Sequence, residues 1–148
     1  MKSKVVKIYE QGPSHVLKIE EIEIQNPEEN EVLIEHEYAG LNFIDINQRK
    51  GSYPLKNLPA LIGMEASGTI KKVGNKVLKF KIGDKVTHCM NLGSFSNFIN
   101  LNENKVIKLK NKIDSKLAAA STLQGLTSQY LLHHSFKLKK ENTLLMHA

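Results

Sequence analysis

Between Lys4 and Lys108 the chain sets apolar and polar residues in short alternating runs, separated by Gly, Asn, Asp or Pro. A period of two is the signature of a half-buried strand. "SKVVKIYEQG" reads as a first strand and "HVLKIEEIEIQNP" as a second. In the second, Leu17 and Ile19 share one phase and Ile22 and Ile24 the other. That slip near Glu20 and Glu21 predicts a β-bulge. "PEEN" supplies turn residues before "NEVLIEHEYAG", in which Val32, Ile34 and Tyr38 fall on one face. "ASGTIKKVG", "VLKFKIGDKVTH", "SFSNFINL" and "KVIKLK" continue the pattern. Many short strands at close spacing predict a mainly β fold, a sandwich or a partly open barrel.

The pattern changes at residue 114. "DSKLAAASTLQGLTSQYLLHHSF" places Asp114 as an N-cap before an Ala/Leu-rich helical run. Gly125 and Thr127 are expected to break that run into two helices. The apolar "TLLMHA" that follows reads as a buried strand, with no partner strand in the helices before it. The chain therefore divides into a β-rich part, 1–113, and a helical part ending in a strand, 114–148. A terminal strand without a partner leads to the expectation that something larger follows.

One stretch fits neither pattern. "GLNFIDINQRKGSYP" mixes apolar and hydrogen-bonding residues, and on a helix Asn42, Asp45 and Arg49 stack three and four apart. The resulting polar stripe is either a solvated surface or the wall of a polar cleft.

Composition narrows the classes. A chain of 148 residues, 41% hydrophobic and 24% charged, has the size and balance of one folded domain. No apolar run is long enough to cross a bilayer. "MKSKVVKIYEQG" has no apolar segment or cleavage site of a secretory kind. The single Cys89 excludes an internal disulfide and a thiolate metal cage. A reducing cytoplasm is the expected location, with no membrane partner. The net charge of +6 comes from lysines scattered in groups such as "IKKVGNKVLKFKIGDK". Without an Arg-rich arm or interleaved aromatics, this is not the footprint of a nucleic-acid binder.

Four motifs in order, "AGLNFID", "LPALIGMEASGTIKKVG", "FKIGDKV" and "AAASTLQGLTSQYLL", resemble those of the medium-chain dehydrogenase/reductase superfamily. Within it, they are most similar to the zinc-independent NADPH:quinone oxidoreductases of the zeta-crystallin type. The resemblance runs from about Lys4 to Ala148 and covers less than half of a full-length member. It implies a GroES-like bulged β-barrel with C-terminal helices. "LLMHA" would then begin a nucleotide-binding Rossmann domain that is otherwise missing. It also implies NADPH as cofactor, fully held only with that domain, a small-molecule quinone or enone as acceptor, and a homodimer for the full-length form. This chain alone is expected to be inactive. Two alternatives stay open: an enoyl or alkenal reductase of the same superfamily, and a nonenzymatic GroES-like binding module or truncated relic.

The resemblance also distributes roles. In the zinc alcohol dehydrogenases of this superfamily a Cys follows the Ala-Gly pair and a His precedes the motif Glu. Here those positions are Asn42 and Met64, an amide and a thioether, which are poor zinc ligands. No metal is therefore expected, and the six histidines read as surface or core residues. Without a metal, a carbonyl accepting hydride needs fixed donors where negative charge develops. Asn42 and Tyr53 take that catalytic role, and Asn42, Asn47 and Thr127 are the cofactor contacts. Asn47 stands where bacterial relatives often carry a second Tyr, so it keeps a hydrogen bond but loses a flat apolar contact. Thr127 matches the Thr at the nicotinamide end, or is a helix-packing Thr. Asp45 and Arg49 are expected to pair and brace the helix. Glu65, flanked by Gly63 and Gly68, either holds loops together or takes part in the chemistry.

Overall fold

The period-two segments form eight strands in two antiparallel sheets, seen in a computed structural model that describes residues 1–110 and 112–147. In chain order the strands are β1 (Lys2–Ile8), β2 (Lys18–Glu23), β3 (Glu31–Gly40), β4 (Ala60–Leu61), β5 (Glu65–Val73), β6 (Lys85–Cys89), β7 (Phe98–Asn102) and β8 (Ile107–Lys108). Helix α1 (Phe43–Lys50) follows β3, and α2 (Ser115–Ala119) and α3 (Thr122–Tyr130) follow β8. One sheet has the order β2-β1-β4 and the other β7-β3-β5-β6-β8. The sheets stay open and touch at an isolated bridge between Val5 and Ser96.

The interior strand β3 carries the continuous apolar run Val32, Leu33, Ile34, all buried, as a strand covered on both faces does. Val32 and Ile34 join Ile70, Val86, Ile99, Leu101 and Val106 in the main core. Ile8, Val16 and Ile62 form a second, smaller cluster with Leu55 and Phe95. Full burial of such a side chain contributes about 1.5–3 kcal/mol.

Three expectations need correction. The bulge expected at Glu20 and Glu21 is absent, because β1 and β2 pair without interruption from Lys2↔Glu23 to Lys7↔Lys18. β2 is an edge strand with little packed against it, so nothing enforces its phase, and Ile19 is left 78% exposed. The register shifts occur in β3 instead, at Leu33/Ile34 and His36/Tyr38. Second, the helical run breaks at Ala120–Ser121 and not at Gly125 and Thr127. The Gly125 N–H donates to the Ser121 carbonyl at 2.9 Å, and the Thr127 hydroxyl to the Leu123 carbonyl at 2.7 Å, so both lie inside α3. A single Gly costs a helix only about 1 kcal/mol, whereas Ser121, at φ −141°, leaves helical geometry outright. Third, residues 143–147 form no strand, and Leu144, Leu145 and Met146 are exposed. A strand needs a ladder partner, and among the described residues none lies beside this segment; Ala148 is outside them. Asp114 does cap α2, its carboxylate accepting the Lys116 N–H at 2.7 Å.

Among the described residues no helix is long and apolar enough to cross a membrane. What the fold achieves for function is a convergence. Gly40, the last residue of β3, pairs with Glu65, the first of β5, which pairs in turn with Cys89 at the end of β6. Only Leu41 and Asn42 separate the end of β3 from helix α1, and α2 packs across β3, β5 and β6.

Candidate active site

Around the start of helix α1 polar side chains are buried and apolar ones exposed, while Ile44 and Ile46 within it are half-buried. Asn42, Asp45 and Gln48 are buried, while Leu41 and Phe43 are 73% and 84% exposed. The stripe is therefore not a solvated face. Asn42 precedes the helix, and its N–H donates to the Asp45 carboxylate at 2.8 Å, which closes the first turn with a negative charge at the helix N-terminus. Burial pushes the Asp45 carboxyl above the usual carboxylate range; the Asn42 N–H opposes this and the charge of Glu65 adds to it. The helix ends at Gly51, whose φ of 92° suits a residue without a side chain.

Asp45 and Arg49 do not pair as expected. Arg49 Nη1 donates to the Gly12 carbonyl at 2.7 Å, and the Gly12 N–H returns a bond to the Arg49 carbonyl at 2.8 Å. Arg49 staples α1 to the β1–β2 connection, whereas Asp45 is turned inward.

Glu65 is the hub of the convergence. Its side chain is fully buried, and a buried carboxylate persists only with donors around it. It has two. Oε2 accepts from Asn42 Nδ2 at 2.8 Å, and Oε1 accepts from the Leu123 N–H at 2.7 Å. Asn42 Oδ1 in turn accepts from Gln124 Nε2 at 3.0 Å. One carboxylate and one amide thus tie β5, the start of α1 and the first turn of α3 together. Gly40 makes room for them, since a Cβ there would overlap the Ala119 carbonyl and the Glu65 carboxylate. Gly63, at φ +100°, and Gly68, where a Cβ would strike the Glu35 carbonyl, hold the backbone on either side. A cleft of about 320 Å³ opens beside the hub, lined in part by Gly40, Leu41, Glu65 and Gln124.

Residues 28–135 match the family model of the alcohol dehydrogenase GroES-like domain. The chain belongs to this family. The quinone oxidoreductase of Pseudomonas aeruginosa is 39% identical over 138 residues, covering 93% of this chain and 42% of that protein. The probable quinone oxidoreductase of Schizosaccharomyces pombe is 38% identical over 149 residues, 100% of this chain and 45% of its own length. Among solved structures, Escherichia coli quinone oxidoreductase complexed with NADPH matches with a TM-score of 0.87 at 37% identity, over 92% of this chain and 42% of that one. The chain spans less than half the length of the relatives it matches. The mainly β, GroES-like fold expected from the motifs is the fold found.

Within this GroES-like domain the residues named from sequence do not all meet. Asn42, Asp45 and Glu65 lie in one network. Tyr53, 55% exposed, sits just past α1, its N–H donating to the Asn47 carbonyl at 3.2 Å. Asn47 is half-buried on α1 and Thr127 exposed on α3. Met64 is buried, and its Sδ receives Gln48 Nε2 at 3.7 Å. Among the described residues no three His, Cys, Asp or Glu side chains group to hold a metal ion. Gln124, Gln48 and Gly40 were not singled out by sequence. Only Gly40 left a trace, in "AG", because an amide on a helix ordinarily reads as solvated.

Two of the six histidines pair, His88 buried and His36 half-buried. His36 Nε2 lies 2.9 Å from His88 Nε2, and His36 Nδ1 lies 2.9 Å from the Ser96 carbonyl. A carbonyl only accepts, so Nδ1 of His36 carries the proton and, in the neutral pair, His88 Nε2 donates. Burial lowers the pKa of both rings. His88 falls to about 3, with the neighbouring His36 adding to the effect, and in His36 the bond to Ser96 partly opposes the shift.

Proposed function

We propose that this domain is the substrate-side half of an NADPH-dependent quinone oxidoreductase that works without a metal. The observation that carries the reading is the fixed amide of Asn42. One of its two Nδ2 hydrogens is donated to Glu65, and by valence the other remains for a ligand. A buried, preoriented N–H is what a developing carbonyl oxyanion requires. Asn42 and Met64 stand where zinc relatives carry Cys and His, which supports catalysis by donors and not by a Lewis acid.

In this reading three residues would hold the nicotinamide end of NADPH. Asn42 has a spare N–H, Asn47 offers an amide, and the Thr127 hydroxyl has unspent lone pairs on an exposed face. The phosphates call for backbone N–H groups of a Gly-rich turn at a helix N-terminus, which this reading assigns to a following nucleotide-binding domain. When bound, NADPH supplies the hydride. The chain's own work is positional. Asn42 donates to the substrate oxygen, Glu65 and Asp45 hold Asn42 and its helix start, and Tyr53 offers a second donor and a ring for the acceptor to pack on. In this reading the full-length form is a cytoplasmic homodimer, as the family resemblance implies.

The test is steady-state NADPH oxidation by the full-length form with a simple quinone and with enones, beside elemental analysis of protein purified without chelators. Quinone turnover with no stoichiometric zinc is expected. No turnover of either acceptor class, or one zinc per chain, would overturn the proposal, and turnover of enones alone would make the protein an enone reductase.

A further inference from the structure

We infer that Gln124 is a positioning residue, whose side-chain N–H locks the Asn42 amide in the orientation that Glu65 sets. The inference rests on the proposed role of Asn42 as donor to the acceptor carbonyl. An Asn side chain has nearly the same shape in its two flips, so its partners choose between them. Both Glu65 side-chain oxygens accept, Oε1 from the Leu123 N–H and Oε2 from Asn42 Nδ2 at 2.8 Å. The Gln124 amide can turn either end toward Asn42, and its NH2 faces Oδ1 at 3.0 Å. Glu65 sets the flip and Gln124 locks it. In the opposite flip Oδ1 would oppose a carboxylate oxygen, and Gln124 would have to turn over as well.

The two partners are also linked through the backbone. The Leu123 N–H holds Glu65 Oε1 at 2.7 Å, and the next residue is Gln124. The first turn of α3 therefore sets both ends of the amide at once. Gln124 itself is exposed at the cleft while Asn42 is buried. An exposed Gln contributes little to stability, but its hydrogen bond aims the amide that carries the remaining N–H. Loss of Gln124 should therefore be read in rate and not in melting temperature.

Three substitutions in the full-length form separate the outcomes. Gln124→Glu keeps size but is ionised near neutral pH and can no longer donate. It is expected to lower kcat about tenfold, with KM little changed, a fraction of what misplacing a reacting group by an ångström can cost. Its rate should climb back as pH falls toward the carboxylate range, where the protonated acid donates again. Gln124→Lys restores a donor-only head at similar reach and should stay within about threefold of the parent. Gln124→Ala should lie between the two. The side-chain amide resonance of Asn42 gives a readout independent of turnover: Gln124→Glu should shift it and Gln124→Lys should not. A Glu variant with parental kcat and an unshifted resonance, in an enzyme that reduces quinones, overturns this inference alone. Equal losses in all three variants with lowered melting temperatures would make Gln124 structural and overturn it too. A parent that reduces no acceptor at all removes the reading beneath it.

Discussion

The core against the five-stranded sheet is made of seven aliphatic side chains, from Val32 and Ile34 to Val106. The junction of β3, β5, α1 and α3 is equally buried but holds Asn42, Asp45, Gln48 and Glu65. Aliphatic packing is non-directional and roughly proportional to buried area, so the first region stabilises the fold without fixing any one atom. Hydrogen bonds to a buried carboxylate are directional and contribute modestly to net stability, so the second region fixes atoms at some cost to the fold. Two acceptors there, Asp45 Oδ1 and Gln48 Oε1, have no partner among the described residues. A domain needing only stability would have filled this space with apolar residues. Under the proposed function, the polar junction is a device for aiming a donor.

The sharpest way to break this contrast is to cut each region in turn. Ile70→Ala, in the core, is expected to destabilise the fold by about 2–5 kcal/mol while turnover per folded molecule of the full-length form stays near parental. Denaturant titration beside active-site-normalised kinetics checks both halves. Glu65→Leu strands the Leu123 N–H and the Asn42 amide, each unmet buried donor costing about 1–3 kcal/mol. Here rate and stability should fall together. A Glu65→Leu enzyme with parental turnover would show that the junction aims nothing.

The histidine pair provides a smaller effect with a definite sign. His36 and His88 are held neutral, with pKa values lowered in the folded state. The unfolded chain binds protons at both rings below about 6.5, so stability is intact above that pH. It declines as pH falls toward the folded value of about 3 for His88. Denaturation midpoints at pH 7 and pH 5 should show the decline, and His88→Phe should make it shallower. Stability that rose on acidification would contradict the neutral pair.

How much of this could be read from the residues differs between the two regions. Alternation in "SFSNFINL" was enough to locate β7, because burial of one face imposes the period. Strand β3 was legible instead from its short apolar run bounded by turn residues, since both of its faces are covered there. Alternation misled at β2, an edge strand where Ile19 faces water. The junction was legible only in part. The spacing of Asn42 and Asp45 revealed a polar stripe, but exposure of Leu41 and Phe43 inverts the usual rule, so its burial could not be inferred. Gln124 lies 82 positions from Asn42, and no local pattern connects an amide on one helix with the cap of another. Arg49 looked like a partner for Asp45 by spacing alone, whereas the fold turned it to Gly12.

The most direct test of the central claim is Asn42→Ala in the full-length form, assayed by NADPH oxidation with a simple quinone, with thermal melts in parallel. Removing one donor aimed at charge that develops in the transition state typically costs 10²- to 10³-fold in rate, and a loss of about 10²-fold in kcat is expected, with the variant still folded. A well-folded Asn42→Ala enzyme turning over at the parental rate would contradict the claim, and the buried polar junction would be a brace for the fold alone.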